Sequence, residues 1–184
     1  MATSRAHAHS DAWFEVADQL ACNGAYPDVL RPVSTATWTD LMFGIEAQLN
    51  SLASDVGGYM VLNVDRRDDP FVQFVVDGLG SIEAEAASTV FAAKTQVRRR
   101  VNSITEQRLF RIGWHPPDVD PLRLAEPGEH PNFHWSWRNK LGYPSALFAE
   151  LGVRTLVEAF EVAEPALVWV RGGYLSSSER PSRV

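Results

Sequence analysis

The chain has 184 residues, of which 45% are apolar and 22% charged, and its formal net charge is -6. These values are typical of one soluble domain with its own core, and the acidic balance argues against binding nucleic acid or anionic lipid through a basic surface. The single cysteine, Cys22, excludes an intramolecular disulfide and favours a reducing compartment, so we expect a cytoplasmic protein.

The first 35 residues are predicted to form an N-terminal extension that is partly disordered. Residues 1–10 are small and polar, and no apolar stretch typical of a secretory signal occurs there. Apolar spacing from Asp11 to Ala21 favours a short helix. The following residues contain glycine, proline and an Asn-Gly pair, which indicates a loop.

The first long helix is predicted to begin near Thr37. Thr37 and Asp40 resemble a capping box, in which two side chains near a helix start satisfy free backbone N–H groups. Apolar residues then recur at helical spacing as far as Leu52, and the pair Gly57-Gly58 is expected to end the helix.

Three short runs that alternate between two faces follow, and they predict an antiparallel meander. The runs are GYMVLNVD, FVQFVVDG and SIEAEAAS, and the turns between them are too short for a parallel crossover. In the second run, Val72, Phe74 and Val76 share one face, whereas Phe71, Gln73 and Val75 share the other. Residues 89–102 are compatible with either helix or strand.

A short helix and a proline-rich loop come next. Ser103 and Glu106 form a second capping box, and Gly113 is the expected end of that helix. Five prolines lie between Pro116 and Pro131, which excludes a regular helix or a central strand over this segment.

The run NFHWSWR predicts a further strand that places three aromatic side chains on one face. These are Phe133, Trp135 and Trp137, whereas His134, Ser136 and Arg138 face the other way. Two interpretations remain open. The aromatic residues either cover the core beneath a helix, or they form part of an apolar surface for another chain.

The last helix is predicted to start at Pro144 and to be apolar on two sides. Its main stripe contains Phe148, Leu151, Leu156 and Phe160, and a weaker stripe contains Val153 and Val157. Because a helix of this kind must be covered twice, we expect Val153 and Val157 to lie at a dimer interface. Residues 166–170 are predicted to form a final edge strand, and residues 172–184 a flexible tail.

This order of elements predicts an α+β fold in a single domain spanning residues 36–171. The antiparallel sheet would contain the three-stranded meander plus one or two further strands. Two or three helices would pack against it.

No catalytic motif is recognisable, and no catalytic residue, cofactor or metal site is assigned. If His130 and His134 both lay in an extended strand, they would be about 13 Å apart and too distant to share one zinc ion. Glu83 and Glu85 would share a strand face at about 7 Å, a separation that a glycosidase pair can have. The two residues lie beside a glycine turn on a short strand, however, and a solvated sheet face explains them without chemistry, which is the favoured interpretation.

The pattern of the chain resembles the actinobacterial TY-Chap proteins, which are related to type III secretion chaperones and to the YbjN family. The resemblance covers roughly residues 36–165 and rests on the meander, the final helix ALFAELGVRTLVEAFEV and two short motifs. The motifs are the GW-x-x-P corner at Gly113, Trp114 and Pro117, and the pair Asn132-Phe133. The resemblance implies an α+β sandwich, a tendency to dimerise and the binding of peptide segments of a client protein.

The leading hypothesis is therefore a non-enzymatic peptide-binding chaperone or adaptor that forms a homodimer. The residues predicted to bind peptide are Phe133, Trp135, Trp137, Phe71 and Val75. Partners are expected to be client segments, from a secretion or toxin-related system, and neither nucleic acid nor a membrane. Two alternatives remain: an immunity-type protein that sequesters one toxin, and a small hydrolase with an unrecognised site. The corner residue Trp114 is expected to fill the core beneath the short helix.

Overall fold

The computed structural model describes residues 31–54, 57–64, 70–77, 81–87, 103–118, 130, 132–138 and 144–174. Several predictions lie outside these residues. They concern the helix at 11–21, the undecided segment 89–102, most of the proline-rich loop and the end of the tail.

Six strands form one antiparallel sheet with the order β1-β6-β2-β3-β4-β5. The strands are β1 (Arg31–Pro32), β2 (Gly58–Asn63), β3 (Phe71–Val76), β4 (Ser81–Ala86), β5 (Phe133–Arg138) and β6 (Trp169–Tyr174). The pairing of β2 with β3 and of β3 with β4 confirms the predicted meander.

Within the described residues, three α-helices accompany the sheet: α1 (Trp38–Ser54), α2 (Ser103–Ile112) and α3 (Ser145–Arg154). The predicted cap of α1 is confirmed, because the backbone N–H of Asp40 donates a hydrogen bond of 3.1 Å to the Thr37 hydroxyl. That hydroxyl in turn donates to the Asp40 carboxylate at 2.7 Å. The antiparallel sheet and the separate helices together confirm the predicted α+β class.

The helices pack on one face of the sheet, where the alternating residues of β3 decide which side is buried. Val72, Phe74 and Val76 are completely buried and belong to the same core cluster as the buried residues of α1, α2 and α3. Gly152 in α3 lies directly over Phe74, because a β-carbon at this glycine would come within 2.8 Å of the Phe74 ring. The small residue therefore sets how closely α3 approaches the sheet.

The last strand differs from the prediction in both its limits and its position. Residues Pro165–Leu167 form a 3-10 turn, and β6 then lies between β1 and β2, whereas an edge strand at 166–170 was expected. The strand continues through Gly172, where a β-carbon would lie 2.7 Å from the Tyr59 carbonyl oxygen. Glycine usually indicates the end of a strand, but here the absence of a side chain at Gly172 allows β6 to approach β2 closely. The sheet consequently includes Arg31–Pro32 and residues 172–174, which flank the predicted range of 36–171.

The final helix is confirmed, but its second half is widened into a π-helical segment, Thr155–Ala159. The N–H of Phe160 donates to the carbonyl of Thr155 at 3.0 Å, a spacing of five residues. This widening allows the neighbours Thr155 and Leu156 both to be fully buried.

The corner after α2 has the predicted architecture. Gly113 adopts a φ of 115°, and the N–H of Trp114 donates to the Leu109 carbonyl at 3.1 Å, which closes the helix. Trp114 is 2% exposed, and its indole N–H donates to the Thr155 hydroxyl at 2.8 Å. The tryptophan therefore joins the end of α2 to the π-helical segment.

Candidate functional site

Strand β5 lies at one edge of the sheet, with β4 on its inner side. At one end its outer side is occupied by His115, which exchanges two backbone hydrogen bonds of 3.1 and 3.0 Å with His134. Backbone groups of alternate residues in an antiparallel strand point to opposite edges. The N–H and C=O groups of Ser136 and Arg138 therefore point away from β4, and no other described strand lies beside them. We refer to this outer side of Ser136–Arg138 as the β5 edge.

Three of the predicted peptide-binding residues lie on the helix side of the sheet. Phe133, Trp135 and Trp137 are in register with Ala86, Ala84 and Ile82 of β4, which belong to the core face. Phe133 is 2% exposed, whereas the two tryptophans are half-buried. Trp135 meets the Phe148 ring edge-on at 5.3 Å. Much of this aromatic face therefore covers the core beneath a helix, which was one of the two interpretations drawn from the sequence.

The other two predicted residues, Phe71 and Val75, lie on the opposite face of the sheet. Phe71 is 8% exposed and belongs to a small apolar cluster with Val61 and Ala87. Val75 is half-buried and in register with Glu83. The five residues are thus divided between two faces and do not form one continuous surface, and their role in peptide binding stays a prediction.

A polar row crosses the face opposite the helices and is centred on Glu85. Gln73, Glu85 and His134 are in register on β3, β4 and β5. One Glu85 carboxylate oxygen accepts hydrogen bonds from Gln73 at 2.9 Å and Asn132 at 3.1 Å. The second oxygen lies 3.8 Å from Nδ1 of His130. Glu85 is therefore held by hydrogen bonds to neighbouring side chains. The interpretation as a residue on a solvated sheet face did not include these contacts.

The separation predicted for His130 and His134 was wrong. Their rings are stacked, with centroids 4.2 Å apart and planes at 18°. The strand spacing does not apply, because His130 lies outside β5 and the chain bends at Asn132. The Asp118 N–H donates to the His130 carbonyl at 2.9 Å, which brings a third polar side chain beside the pair. One ligand atom from each of Asp118, His130 and His134 lies within 4.8 Å of the others. We call these three residues the histidine cluster.

The electrostatics of the histidine cluster favour a neutral His134. Burial lowers the pKa of His134 below its ordinary value of 6.5, and the neighbouring His130 acts in the same direction. The Asp118 carboxylate acts in the opposite direction, with one oxygen 3.9 Å from Nε2 of His134. The net direction is downward, so the neutral form of the His134 imidazole is favoured more than in a free histidine.

The two residues predicted at a dimer interface differ in accessibility. Val153 is half-buried and packs against the core cluster. Val157, in the π-helical segment, is 38% exposed. Of the two residues, only Val157 is therefore largely accessible on the surface.

No described helix is both long enough and apolar enough to cross a membrane. Helices packed on one face of a single open antiparallel sheet define a two-layer α+β sandwich. The family model TY-Chap3, described as T3SS (YopN, CesT) and YbjN peptide-binding chaperone 3, matches residues 31–173, and the chain belongs to this family. The resemblance seen in the sequence is thereby confirmed, and the match extends it to β1 and most of β6. No curated protein and no solved structure matches the chain.

Proposed function

We propose that the protein is a non-enzymatic chaperone or adaptor that binds an extended segment of a client protein in the cytoplasm. The match of residues 31–173 to a family of peptide-binding chaperones carries this proposal. We also propose that the client belongs to a secretion or toxin-related system.

The β5 edge is the surface that best suits such binding. An extended peptide that adds to a sheet edge gains main-chain hydrogen bonds, and its alternate side chains contact the two faces of the sheet. Ser136 and Arg138 are both exposed and direct their backbone groups outward. On the helix side, the added strand would have Trp135 and Trp137 as cross-strand neighbours. The half-buried tryptophans would then contribute to binding while they also support the core.

Replacing Ser136 with proline is expected to weaken client binding by about fivefold, because the loss of an outward hydrogen bond is worth about 1 kcal/mol. The fold should survive, since the removed N–H points away from β4 and edge strands tolerate proline. The client is first identified by pull-down and mass spectrometry. A synthetic segment of it is then titrated against both forms by calorimetry.

Ser136→Ala is the matched control, because it removes the side-chain hydroxyl and keeps the backbone N–H. It should bind the segment like the unmodified protein. Equal affinity of the Ser136→Pro protein would remove the β5 edge from consideration. A 1:1 complex with a folded toxin that contributes no extended segment would favour the immunity-type alternative.

We further propose that the protein is a homodimer that uses the surface around Val153 and Val157. Val157→Asp is expected to give monomers in light scattering, because an unpaired carboxylate in an apolar interface costs several kcal/mol. Leu147→Asp is the control, since Leu147 lies on the same helix and is 44% exposed. A Val157→Asp protein with unchanged mass would contradict this location of the interface.

A further inference from the structure

We propose that Asp118, His130 and His134 form a binding site for a divalent transition metal ion, with zinc the best match. The inference is separate from client binding. It rests on the arrangement of these side chains and of the groups behind them.

The ligand atoms are close to the arrangement that zinc requires. Nε2 of His134 and the nearer Asp118 oxygen are 3.9 Å apart, and the three ligand atoms all lie within 4.8 Å of one another. Bonds of about 2.0–2.1 Å to a tetrahedral ion place neighbouring ligand atoms about 3.3 Å apart. Coordination by both histidines also requires one ring to leave the stacked arrangement, because the lone pairs of two stacked imidazoles lie in nearly parallel planes. His130 has room to turn, since its side chain is 30% exposed.

The scaffold holds these residues together without the ion. Residues 115–118 are joined to His130 and His134 by backbone hydrogen bonds, and the bridge between His115 and His134 is antiparallel. His115 pairs with His134 in both directions, and the Asp118 N–H donates to the His130 carbonyl. Ligands that are far apart in sequence are therefore positioned by the main chain and the sheet edge.

A carboxylate behind one histidine completes a feature common to metal sites. Metal-bound histidines usually donate their second N–H to a carboxylate or carbonyl, which orients the ring. Glu85 lies 3.8 Å from Nδ1 of His130 and is itself fixed by Gln73 and Asn132. The 3.8 Å separation is longer than a hydrogen bond, so Glu85 would have to approach Nδ1 as His130 turns its Nε2 toward the ion.

The ligand set selects the class of metal. Two imidazoles with one carboxylate suit zinc and its first-row neighbours, whereas calcium and magnesium prefer oxygen ligands. Metal binding requires the imidazoles in their neutral form, so zinc affinity should fall as the pH is lowered. Three protein ligands leave a fourth position for water. A bound ion would link Asp118 to His134 and so hold residues 115–118 against the outer side of β5, next to the β5 edge.

The test is a calorimetric titration of the full chain with zinc, supported by the visible absorption of cobalt(II). Both are carried out in a His7→Ala/His9→Ala background, because the His-Ala-His run near the N-terminus offers two further imidazoles as zinc ligands. We expect one equivalent of zinc to bind in this background. The ion should also raise the thermal midpoint, since a ligand that binds the folded state stabilises it.

Variants of the histidine cluster locate the site. His130→Ala and His134→Ala should each weaken zinc binding by more than about 100-fold, and Glu85→Gln by about 10–100-fold, as for other outer-shell partners. His115→Ala is the matched control, because its ring lies 5.7 Å from the His134 ring and outside the cluster. It should bind zinc with unchanged affinity. Circular dichroism reports whether each variant folds. If His134→Ala does not fold, His130→Ala alone tests the site, because His130 is the more exposed of the two residues.

Three results would overturn the site. The first is absence of zinc binding by the otherwise intact chain. The second is disappearance of the bound equivalent in the His7→Ala/His9→Ala background. The third is binding that persists unchanged in folded His130→Ala protein.

Discussion

Replacing Phe74 with alanine is expected to lower the free energy of unfolding by about 3–5 kcal/mol, which is among the largest effects of a single core substitution. Phe74 is completely buried at the centre of the sheet, in register with Met60 and Ala84. Its ring also meets that of Phe148 edge-on at 6.4 Å. The substitution removes an aromatic side chain that contacts both layers and leaves a cavity between them. Urea unfolding measures the change.

Val75→Ala is the matched control on the same strand. Val75 is half-buried on the opposite face of the sheet, so its truncation opens no cavity between the layers. Its cost should be well below that of Phe74→Ala. Equal losses for the two variants would contradict the assignment of faces to β3.

Gly152 provides a sharper version of this test, because the effect of one substitution should change sign. In the unmodified protein Gly152→Ala places its β-carbon about 2.8 Å from the Phe74 ring, and crowding of about 1–3 kcal/mol offsets or exceeds the gain in helix propensity. In the Phe74→Ala background the ring is gone. The same substitution should then stabilise the protein by about 1 kcal/mol, the usual advantage of alanine over glycine in a helix.

Trp114→Ala is expected to cost a similar amount, about 3–5 kcal/mol, because a buried tryptophan is lost from the corner after α2. Part of this cost belongs to the hydrogen bond from the indole N–H to Thr155, at 2.8 Å. Thr155→Val keeps the shape of the side chain and leaves the indole N–H buried without a partner, although it also removes the hydrogen bond from the hydroxyl to the Leu151 carbonyl. Thr155→Val should cost about 1–3 kcal/mol.

Changing the donor of this hydrogen bond instead of its acceptor provides the control. In Trp114→Phe the Thr155 hydroxyl still donates to the Leu151 carbonyl at 2.7 Å, so no buried donor is left without a partner. Combining Thr155→Val with Trp114→Phe should therefore cost less than the sum of the two single changes. Additive losses in urea unfolding would show that the hydrogen bond contributes little.

Local patterns in the chain were sufficient to predict α1, the meander and the corner at Trp114. Helix caps, alternation and tight turns act over a few residues, so they are readable without knowledge of the fold. The same patterns misplaced β6, because the pair Gly172-Gly173 resembles the start of a tail. Close approach to Tyr59 is what places Gly172 in a strand, and Tyr59 is remote in sequence.

The histidine cluster was missed for a related reason. Strand spacing applied to His130 and His134 gave the wrong distance, because His130 lies outside β5. The position of Asp118 depends on its backbone bond to His130, across a loop whose course no local motif indicates. An aspartate that follows two prolines was the only available signal, and it is typical of a turn.

The sequence by itself determined the α+β class, the family resemblance and the two alternating sets of side chains on each strand, since these depend on period and order along the chain. Only the tertiary structure decided which set faces the helices, where the sheet ends and which polar groups meet at its edge. Burial, strand order and contacts between distant residues are properties of the packed chain. They follow from how its elements fit together, which is why no single segment specifies them.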